Sequence, residues 1–575
     1  MSEKRHKAVR MTVAHINDTH SYFEPTSLQL HLTELDPIVE PYVSAGGFAR
    51  VATRSKQLRA QAARDNRGFA FLHAGDCFQG TLYFSLFKGR ANAAMLNALN
   101  LDAMALGNHE LDLGNEPVAD FAQRIEFPLL AGNWDLSNEA AHKRNKISRN
   151  QNVYAYHNEQ QVARWVVQQV DGEPVAIFGL SLDKMTDIAN PDPDTPFVNS
   201  LDVAQRTVTA IRTSGVNKII LLSHLGYEQD KALAEQVEGI GLIVGGHSHR
   251  LQGDFSSLGF AADEIYGQLI NGCYVVQAGY HALSIGHCHI DFDRDGKVVR
   301  FEGKNELLFG RRVFLDASLS EPRSDAQYQA ACEWIRQHPN VVVCKKDPEV
   351  QGLLRDNYMP RVKQLSEQVV TVLERPLRHV RIPDQQGASE VAPLVTDSFL
   401  FAMRNRGHDI QFALHNAGGV RNSLHAGEVS VADIAGKLLP FAVPIGVYRL
   451  SGEALRLTLE GAINNALNNG VEGTGSGSYP YTSRLRFSYQ PDNPQGERIE
   501  HLQICDDQGV WQDVHPEAIY CGTSSAYTMK GKEGYDAILS QLPGSIVTTV
   551  SMADCFVEYL QARPESQAIS QKAVI

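Results

Sequence analysis

The sequence has little of what marks disulfide-rich, membrane-spanning or exported proteins. Only eight of its 575 residues are cysteine, and no two of them have C-x-x-C spacing. No apolar run approaches the roughly 20 residues that a membrane helix needs. Residues 1–10 are polar and basic and lack the apolar segment of a signal peptide. We therefore expect reduced thiols, no membrane contact and a cytoplasmic location.

Positive charge is also scarce. The chain has 53 lysines and arginines against 66 aspartates and glutamates, which gives a formal net charge of -13. This balance argues against a broad basic surface for nucleic-acid polymers. A small anionic substrate would need metal ions or a few well-placed arginines. We expect a small-molecule partner, and the sequence does not indicate an oligomeric state.

Short apolar runs alternating with helix-like segments are abundant from Val9 to about Arg300. The runs are TVAHI, GFAFLHA, LDAMAL, PVAIFGL, KIILLS, GLIVGG and YVVQAG. Their length and their Val, Ile, Leu and Phe content are typical of strands buried on both faces. The alternation predicts a layered α/β domain. Polar residues follow most of the runs, at the strand ends where open α/β sheets bind ligands.

The length of the chain exceeds what one hydrophobic core usually supports, so we expect two domains. Helical periodicity dominates after residue 325, and alternation returns after Pro376. We predict a catalytic domain at 8–324, a helical linker at 325–375 that Pro360 kinks, and a second α/β domain at 376–562.

Each polar motif is weak evidence when taken alone. In Asp18-Thr19-His20, a carboxylate and an imidazole lie on one side of an extended backbone, but an Asp after a strand is more often a turn residue. Asn108 could simply cap a helix. A single buried histidine is more often a hydrogen-bonded structural residue than a metal ligand.

The whole set is far more specific than its parts. Five strand ends carry carboxylate, amide and imidazole groups sufficient for two divalent cations. The residues are Asp18, His20, Asp76, Asn108, His109, His224, His247 and His249.

In order along the chain, these motifs read D-x-H, G-D, G-N-H-E, H and G-H-S-H, and this order resembles the calcineurin-like metallophosphoesterases. The stretches AGDCFQGTLYF and DAMALGNHELDLG are similar to those of the 5'-nucleotidases within that superfamily. The resemblance implies an N-terminal four-layer αββα domain, a helical linker and a C-terminal α/β substrate-binding domain.

The resemblance also implies metal ligands. One ion would be held by Asp18, His20 and His249, the other by Asn108, His224 and His247, with Asp76 as a bridge. Mixed oxygen and nitrogen ligands suit zinc or manganese best, and cobalt or iron also fit.

Two such cations can lower the pKa of water to give a nucleophile near neutral pH, and they can neutralise charge on phosphoryl oxygens. His109 would hydrogen-bond the phosphoryl group and assist the leaving alcohol. Asp112 would orient His109 and favour its protonated form.

The second domain resembles the nucleotide-binding half of the 5'-nucleotidases less completely. The run from Asn416 to Arg421 is similar to the N-G-G-G-[IV]-R motif of the family, with Ala417 in place of one glycine. The resemblance implies that Arg421 contacts phosphate, that two aromatic rings stack on the base, and that an acidic residue contacts the ribose. The substrate residues are then Asn416, Gly419, Arg421, Phe441, Tyr527 and Glu533.

Two positions depart from the family pattern. Glu533 stands where the family has aspartate, and its longer side chain could shift sugar recognition. The N-x-G-N-L stretch of the family reads here EVAPL, at 390–394, and at least one phosphate-binding arginine is missing. Arg378 or Arg381 could replace it.

Three functions are therefore compared. The first is a 5'-nucleotidase. The second is a metallophosphoesterase acting on cyclic 2',3'-nucleotides, nucleotide sugars or a non-nucleotide phosphate ester. The third is a catalytically silent ligand-binding protein, which predicts broken ligand positions. All nine ligand and His-Asp positions are intact, which favours an enzyme.

Overall fold

The computed structural model describes residues 6–315, 325–441, 443–468 and 475–562. Its contacts divide the chain into two compact units. The first comprises residues up to Gln79 together with Phe87–Met359, and the second comprises Gly80–Leu86 together with residues from Pro360 onward. The domain limits from the sequence stay predictions, and residues 316–324, where the first domain was predicted to end, lie outside the described residues.

The first unit is built on two sheets. One has the strand order β2-β3-β16-β15-β1-β4-β5-β6-β7-β8, with β17 beside β16, and the other has the order β13-β14-β12-β11-β10-β9. In chain order the strands are β1 (Val9–Ile16), β2 (Thr26–Gln29), β3 (Tyr42–Ala45), β4 (Gly68–His73), β5 (Ala103–Ala105), β6 (Leu129–Ala131), β7 (Val153–His157), β8 (Val162–Ala163), β9 (Trp165–Val170), β10 (Glu173–Ser181), β11 (Lys218–His224), β12 (Leu242–Val244), β13 (Gln268–Ile270), β14 (Cys273–Val276), β15 (Ser284–Phe292), β16 (Val298–Phe314) and β17 (Val341–Val343).

Helices connect and cover the strands. In chain order they are α1 (Phe48–Arg64), α2 (Leu82–Phe87), α3 (Arg90–Asn97), α4 (Asn115–Ala122), α5 (Met185–Ile188), α6 (Ser200–Thr213), α7 (Tyr227–Gln236), α8 (Ala326–Gln337), α9 (Pro348–Asn357), α10 (Met359–Ser366), α11 (Ala392–Asn405), α12 (Gly452–Asn468), α13 (Ala526–Met529) and α14 (Met552–Gln561). No helix within the described ranges is long and apolar enough to cross a membrane.

The two sheets of the first unit pack face to face. Val13 and Leu72 of one sheet and Ile220 and Val244 of the other belong to the same buried cluster. Helices α6 and α7 cover the outer face of the second sheet, and α1 contacts β1 and β4 of the first. The predicted four-layer αββα arrangement is confirmed, because the continuous apolar runs supply strands that are buried on both faces.

The segment predicted as a helical linker contains both helices and strands. Helices α8, α9 and α10 lie within it, but Val341–Val343 pair in parallel with β16 of the first unit. The run α9 to α10 breaks at Tyr358, two residues before Pro360. The break is where a proline is expected to interrupt a helix, since its ring removes a donor and restricts the preceding residue.

The second unit is a separate α/β assembly. One sheet has the order β22-β19-β26-β21-β27, a second has the order β23-β24-β25, and β18 pairs with β20. The strands are β18 (Val369–Leu373), β19 (Phe412–Asn416), β20 (Gly427–Ser430), β21 (Pro444–Ser451), β22 (Pro480–Ser483), β23 (Leu485–Tyr489), β24 (Ile499–Cys505), β25 (Trp511–Asp513), β26 (Ile519–Ser525) and β27 (Ile546–Ser551). Helices α11, α12 and α14 contribute apolar residues to its core.

Candidate active site

Strand ends of the first unit bring the predicted metal ligands together. Ligand atoms of three residues in each group lie within 4.8 Å of one another. The groups are Asp18, His20 and His249, then Asp76, His224 and His247, and a third that joins His20, Asp76 and His109.

The first group is close-packed. His20 Nε2 lies 3.1 Å from His249 Nε2, and His249 Nε2 lies 3.4 Å from Asp18 Oδ1. Two imidazole nitrogens and a carboxylate oxygen therefore point at one small volume, which is a suitable set of ligands for one divalent cation.

The second group includes the predicted amide ligand. Asn108 Oδ1 lies 3.2 Å from His224 Nε2 and 3.0 Å from His247 Nδ1. Asp76 Oδ2 lies 3.1 Å from His224 Nε2. Because Asp76 also groups with His20, its carboxylate lies between the two sets, where the sequence resemblance predicts a bridge.

Backbone carbonyls select the tautomer of two of the imidazoles. His20 Nδ1 lies 3.0 Å from the carbonyl oxygen of Phe78, and His224 Nδ1 lies 2.7 Å from that of Ala74. A carbonyl only accepts, so each Nδ1 carries a proton and Nε2 is the nitrogen available to bind a metal. This arrangement fits metal ligation.

The electrostatics of the site also fit cations. Burial lowers the pKa of His20 and of His247 to about 4, so both rings are neutral near pH 7. Burial also disfavours the charged form of His224, but Asp76 outweighs it and raises the pKa of His224 to about 9. A divalent cation held by Asp76 and His224 would replace that proton.

Five predicted ligands have left-handed backbone conformations. The φ angles of Asp18, His20, Asp76, His247 and His249 lie between 45° and 70°. Such angles are uncommon outside glycine and concentrate at functional sites, where the surrounding structure maintains them. The site is therefore held in a geometry that local propensity does not favour.

The predicted His-Asp pair is formed beside these groups. His109 Nδ1 lies 2.6 Å from Asp112 Oδ2, and the backbone N–H of His109 donates to Asp76 Oδ1 at 2.8 Å. Burial alone would lower the pKa of His109, but Asp112 and Asp76 outweigh it and raise the pKa to about 10. Since Nδ1 is engaged by Asp112, Nε2 is the atom that can reach a substrate.

The sequence motifs contain supporting residues to which sequence reasoning assigned no role. The buried carboxylate of Glu110 accepts from four backbone N–H groups, those of Asp76, Cys77, Phe78 and Gly107, at 2.7–3.0 Å. Its place in the GNHE motif was the available signal.

Asn17 directly precedes the first motif and hydrogen-bonds the predicted ligand Asp18. Its amide donates to Asp18 Oδ2 and to the carbonyl of Gly279, both at 2.6 Å. No spacing pattern pointed to this residue.

In the second unit, three predicted substrate residues interact around the carboxylate of Glu533. Asn416 ends β19 and donates through Nδ2 to Glu533 Oε2 at 3.2 Å. Burial raises the pKa of Glu533, while Asn416 and Arg381 act in the opposite direction. Tyr527 acts on the same carboxylate and lowers its pKa.

Arg421 and Phe441 form the other part of this cluster. The guanidinium carbon of Arg421 lies 5.6 Å from the centroid of the Phe441 ring, a cation–π distance. Arg421 also acts electrostatically on Glu533. Gly419 lies against the ring of His415, where a β-carbon would overlap the imidazole.

The two candidate replacement arginines have different surroundings. Arg378 forms an ion pair with Asp384. Arg381 instead donates to Ser476 Oγ at 3.4 Å and interacts electrostatically with Glu533. Of the two, Arg381 is the one whose charge acts on the predicted substrate residues.

Comparisons with known proteins agree with both halves of this arrangement. The calcineurin-like phosphoesterase family matches residues 11–251, and the 5'-nucleotidase C-terminal domain matches residues 369–540. A probable 5'-nucleotidase of Treponema pallidum is 28% identical over 98% of this chain and 94% of its own length. An NAD 5'-nucleotidase of Haemophilus influenzae is 27% identical over 99% and 93%.

Solved structures show the same relationship. The 5'-nucleotidase precursor from Thermus thermophilus is 28% identical, covers 96% of both chains and has a TM-score of 0.71. The NAD nucleotidase of Haemophilus influenzae is 26% identical, covers 97% of both chains and has a TM-score of 0.63. The protein is thus a metal-dependent hydrolase of phosphate esters that belongs to the 5'-nucleotidase family of the calcineurin-like metallophosphoesterases.

Proposed function

We propose that the protein is a 5'-nucleotidase that releases phosphate from nucleoside monophosphates with two divalent metal ions in its first unit. The observation that carries this proposal is the pair of ligand groups that approach one carboxylate, Asp76, with the His109–Asp112 pair beside them. Two neighbouring cation sites and a general acid are the parts that phosphoryl transfer to water requires.

The predicted ligand sets provide the places for the ions. Asp18, His20 and His249 would hold one, Asn108, His224 and His247 the other, and Asp76 would contact both. When bound, the ions supply a water of lowered pKa and neutralise negative charge on the phosphoryl oxygens. Zinc and manganese are the best candidates for this mixed ligand set, followed by cobalt and iron.

His109 would deliver the proton that the departing alcohol needs. The attacking water gives one proton to solvent, its oxygen bonds to phosphorus, and the ester P–O bond breaks. The departing ester oxygen takes a proton from His109 Nε2, and solvent then returns a proton to His109. The Asp112 carboxylate accepts from Nδ1, which keeps the ring charged and oriented before the transfer.

The second unit would recognise the nucleoside. Arg421 and Arg381 supply positive charge for phosphate oxygens. Phe441 and Tyr527 offer aromatic faces for the base, and Asn416 and Glu533 offer polar atoms for the ribose. The Asn416–Glu533 hydrogen bond and the electrostatic interactions among these six residues support a common role.

The substrate need not be a monophosphate. A relative of near-equal length is named an NAD 5'-nucleotidase, and another, over part of its length, a trifunctional nucleotide phosphoesterase. Dinucleotides, nucleotide sugars and cyclic 2',3'-nucleotides would present the same base, ribose and phosphate groups to the cluster in the second unit. They are the second candidate substrate class.

Hydrolysis of a substrate panel tests the proposal, followed as phosphate release for the monoesters and by chromatography of the products for the other substrates. The panel contains nucleoside monophosphates, NAD, a UDP-sugar, cyclic 2',3'-nucleotides and simple sugar phosphates, each with zinc, manganese or EDTA. We expect metal-dependent hydrolysis that is fastest for nucleoside monophosphates. Equal rates on simple sugar phosphates would refute nucleotide recognition, and activity that survives complete removal of metal would refute the metal centre.

A further inference from the structure

One buried side chain contacts the His109–Asp112 pair from outside the predicted site. Gln79 is fully buried, and its Nε2 donates to Asp112 Oδ2 at 2.8 Å. The same oxygen lies 2.6 Å from His109 Nδ1. Asp112 Oδ2 therefore accepts hydrogen bonds from both Gln79 and His109. The orientation of the Asp112 carboxylate thus depends on the position of Gln79.

The backbone around Gln79 is tightly constrained. Its φ angle is 65°, a left-handed conformation that residues other than glycine rarely adopt. The residues just before it, Asp76 to Phe78, are fixed by their N–H bonds to the Glu110 carboxylate. Glu110 and Asp112 belong to the same short segment, so the loop that carries Gln79 and the segment that carries Asp112 are bonded at two points.

The chemistry of an amide suits this position. A lysine or arginine donating to Asp112 would neutralise the charge that favours protonated His109. A glutamine amide donates one hydrogen bond to the carboxylate and leaves its charge intact. Gln79 can therefore orient Asp112 without weakening its effect on His109.

We infer that Gln79 is a positioning residue for leaving-group protonation, acting through Asp112 on His109. This inference rests on the proposed role of His109 in the hydrolysis of phosphate esters. It assigns Gln79 no contact with substrate or metal. Loss of the Gln79 hydrogen bond should then slow only reactions in which the departing oxygen needs a proton.

The test compares two kinds of leaving group in Gln79→Met. Methionine has a similar length and no donor, and as an unbranched residue it meets the same backbone strain as glutamine. In an alkyl phosphate, such as a nucleoside 5'-monophosphate, the leaving group is an alcohol whose oxygen must be protonated. In p-nitrophenyl phosphate the leaving group is p-nitrophenolate, which is stable as an anion. We expect kcat to fall on the order of 10-fold or more for the alkyl ester and less than about 3-fold for the aryl ester. Metal content should stay at the wild-type level.

A matched control is Gln252→Met. Gln252 is equally buried in the first unit, and its amide donates to Tyr227 Oη at 3.0 Å, away from the pair. Its substitution should leave the alkyl-to-aryl rate ratio unchanged. An equal loss on both esters in Gln79→Met, or no loss on either, overturns the inference.

A double-mutant cycle supplies a second measurement that is independent of folding yield. In an Asp112→Ala background the Gln79–Asp112 hydrogen bond is absent, so adding Gln79→Met should change the alkyl-ester rate by less than about 2-fold. Additive losses would overturn the inference. If the wild-type protein hydrolyses aryl and simple alkyl phosphates but no nucleotide, the proposed substrate fails while the comparison still tests Gln79.

Discussion

The carboxylate of Asp76 lies close to residues of both predicted ligand sets, His20 of one and His224 of the other. Oδ2 lies 3.1 Å from His224 Nε2, while Oδ1 accepts from the backbone N–H of His109 at 2.8 Å. The side chain is buried, and the nearby imidazoles outweigh the effect of burial, so its pKa lies well below the usual range. The Asp76 carboxylate is therefore ionised near neutral pH, the form that a metal ligand requires.

Replacing Asp76 by alanine is expected to remove both metal ions and essentially all activity. The substitution takes a ligand from each site and the acceptor from His109 N–H. Metal content can be measured by elemental analysis after dialysis. Asp120→Ala, at a half-exposed carboxylate that pairs with Arg124, is the control and should retain its metal. An Asp76→Ala protein that keeps one tightly bound ion would exclude the bridging role.

Replacing His109 by alanine is expected to separate chemistry from metal binding. Turnover should fall by roughly two to four orders of magnitude, the usual contribution of a general acid. Metal content should be unchanged, because the other nitrogen and oxygen ligands remain. Loss of metal from His109→Ala would mean that His109 is a ligand, a possibility that its grouping with His20 and Asp76 makes worth measuring.

At the scale of elements, an ion pair joins helix α1 to strand β16 of the first sheet. Arg54 of α1 donates through Nε and Nη2 to the two oxygens of Glu306 on β16, at 2.6 and 2.9 Å. The Glu306 side chain is only 2% exposed, and His287 approaches one of its oxygens at 3.4 Å. Burial opposes the charge, but His287 and Arg54 outweigh it and lower the pKa of Glu306.

Glu306→Gln is expected to cost about 3 kcal/mol of unfolding free energy at pH 7, because it leaves the Arg54 guanidinium without its buried partner. The folded pKa lies below the unfolded value of about 4.3, so the stabilisation is present above that pH and is lost as the pH falls below it. Urea unfolding of both proteins at pH 7 and near pH 3 measures the difference in unfolding free energy, which should be smaller at the lower pH. Glu302→Gln removes the exposed pair with Arg300 on the same strand and should cost about 0.5 kcal/mol or less.

On the scale of the whole molecule, the two units have different proposed roles. The predicted metal ligands and the His109–Asp112 pair belong to the first unit, and the predicted nucleoside contacts belong to the second. Substitutions in the second unit should therefore change the choice of substrate more than the chemistry. A non-nucleotide ester provides the reference reaction, since it has no base to stack.

Phe441→Ala is expected to raise KM for nucleoside monophosphates on the order of 10-fold, the loss typical of one stacked base. KM and kcat for p-nitrophenyl phosphate should be nearly unchanged. Trp511→Ala is the matched control, because Trp511 is also an aromatic ring beneath an arginine, with Arg486 at 4.3 Å, in the same unit. A similar loss of affinity in both variants would indicate general damage and contradict the stacking role.

Much of the catalytic unit was predictable from local patterns. The apolar runs predicted buried strands because a strand that is buried on both faces appears in the sequence as a short, continuous apolar run. The candidate ligands, such as Asp18 after β1 and His224 at the end of β11, could be grouped because strand ends of a layered α/β domain converge. His109 and Asp112 are three positions apart in one turn, so the contact between them could be predicted without long-range information.

Other features depended on contacts between distant segments. Gln79 meets Asp112 across 33 positions, and Arg381 reaches Ser476 across 95. The strand Val341–Val343 lies in a segment that helical periodicity dominates, and it is a strand because the edge of β16 is available to pair with it. The sequence by itself determined the layered fold and the order of the candidate ligands along the chain, since these follow from the alternation of apolar runs with helix-like segments and from the residues at strand ends. Only the tertiary structure decided which side chains orient the ligands and which arginine's charge reaches Glu533, because those outcomes depend on how distant loops pack.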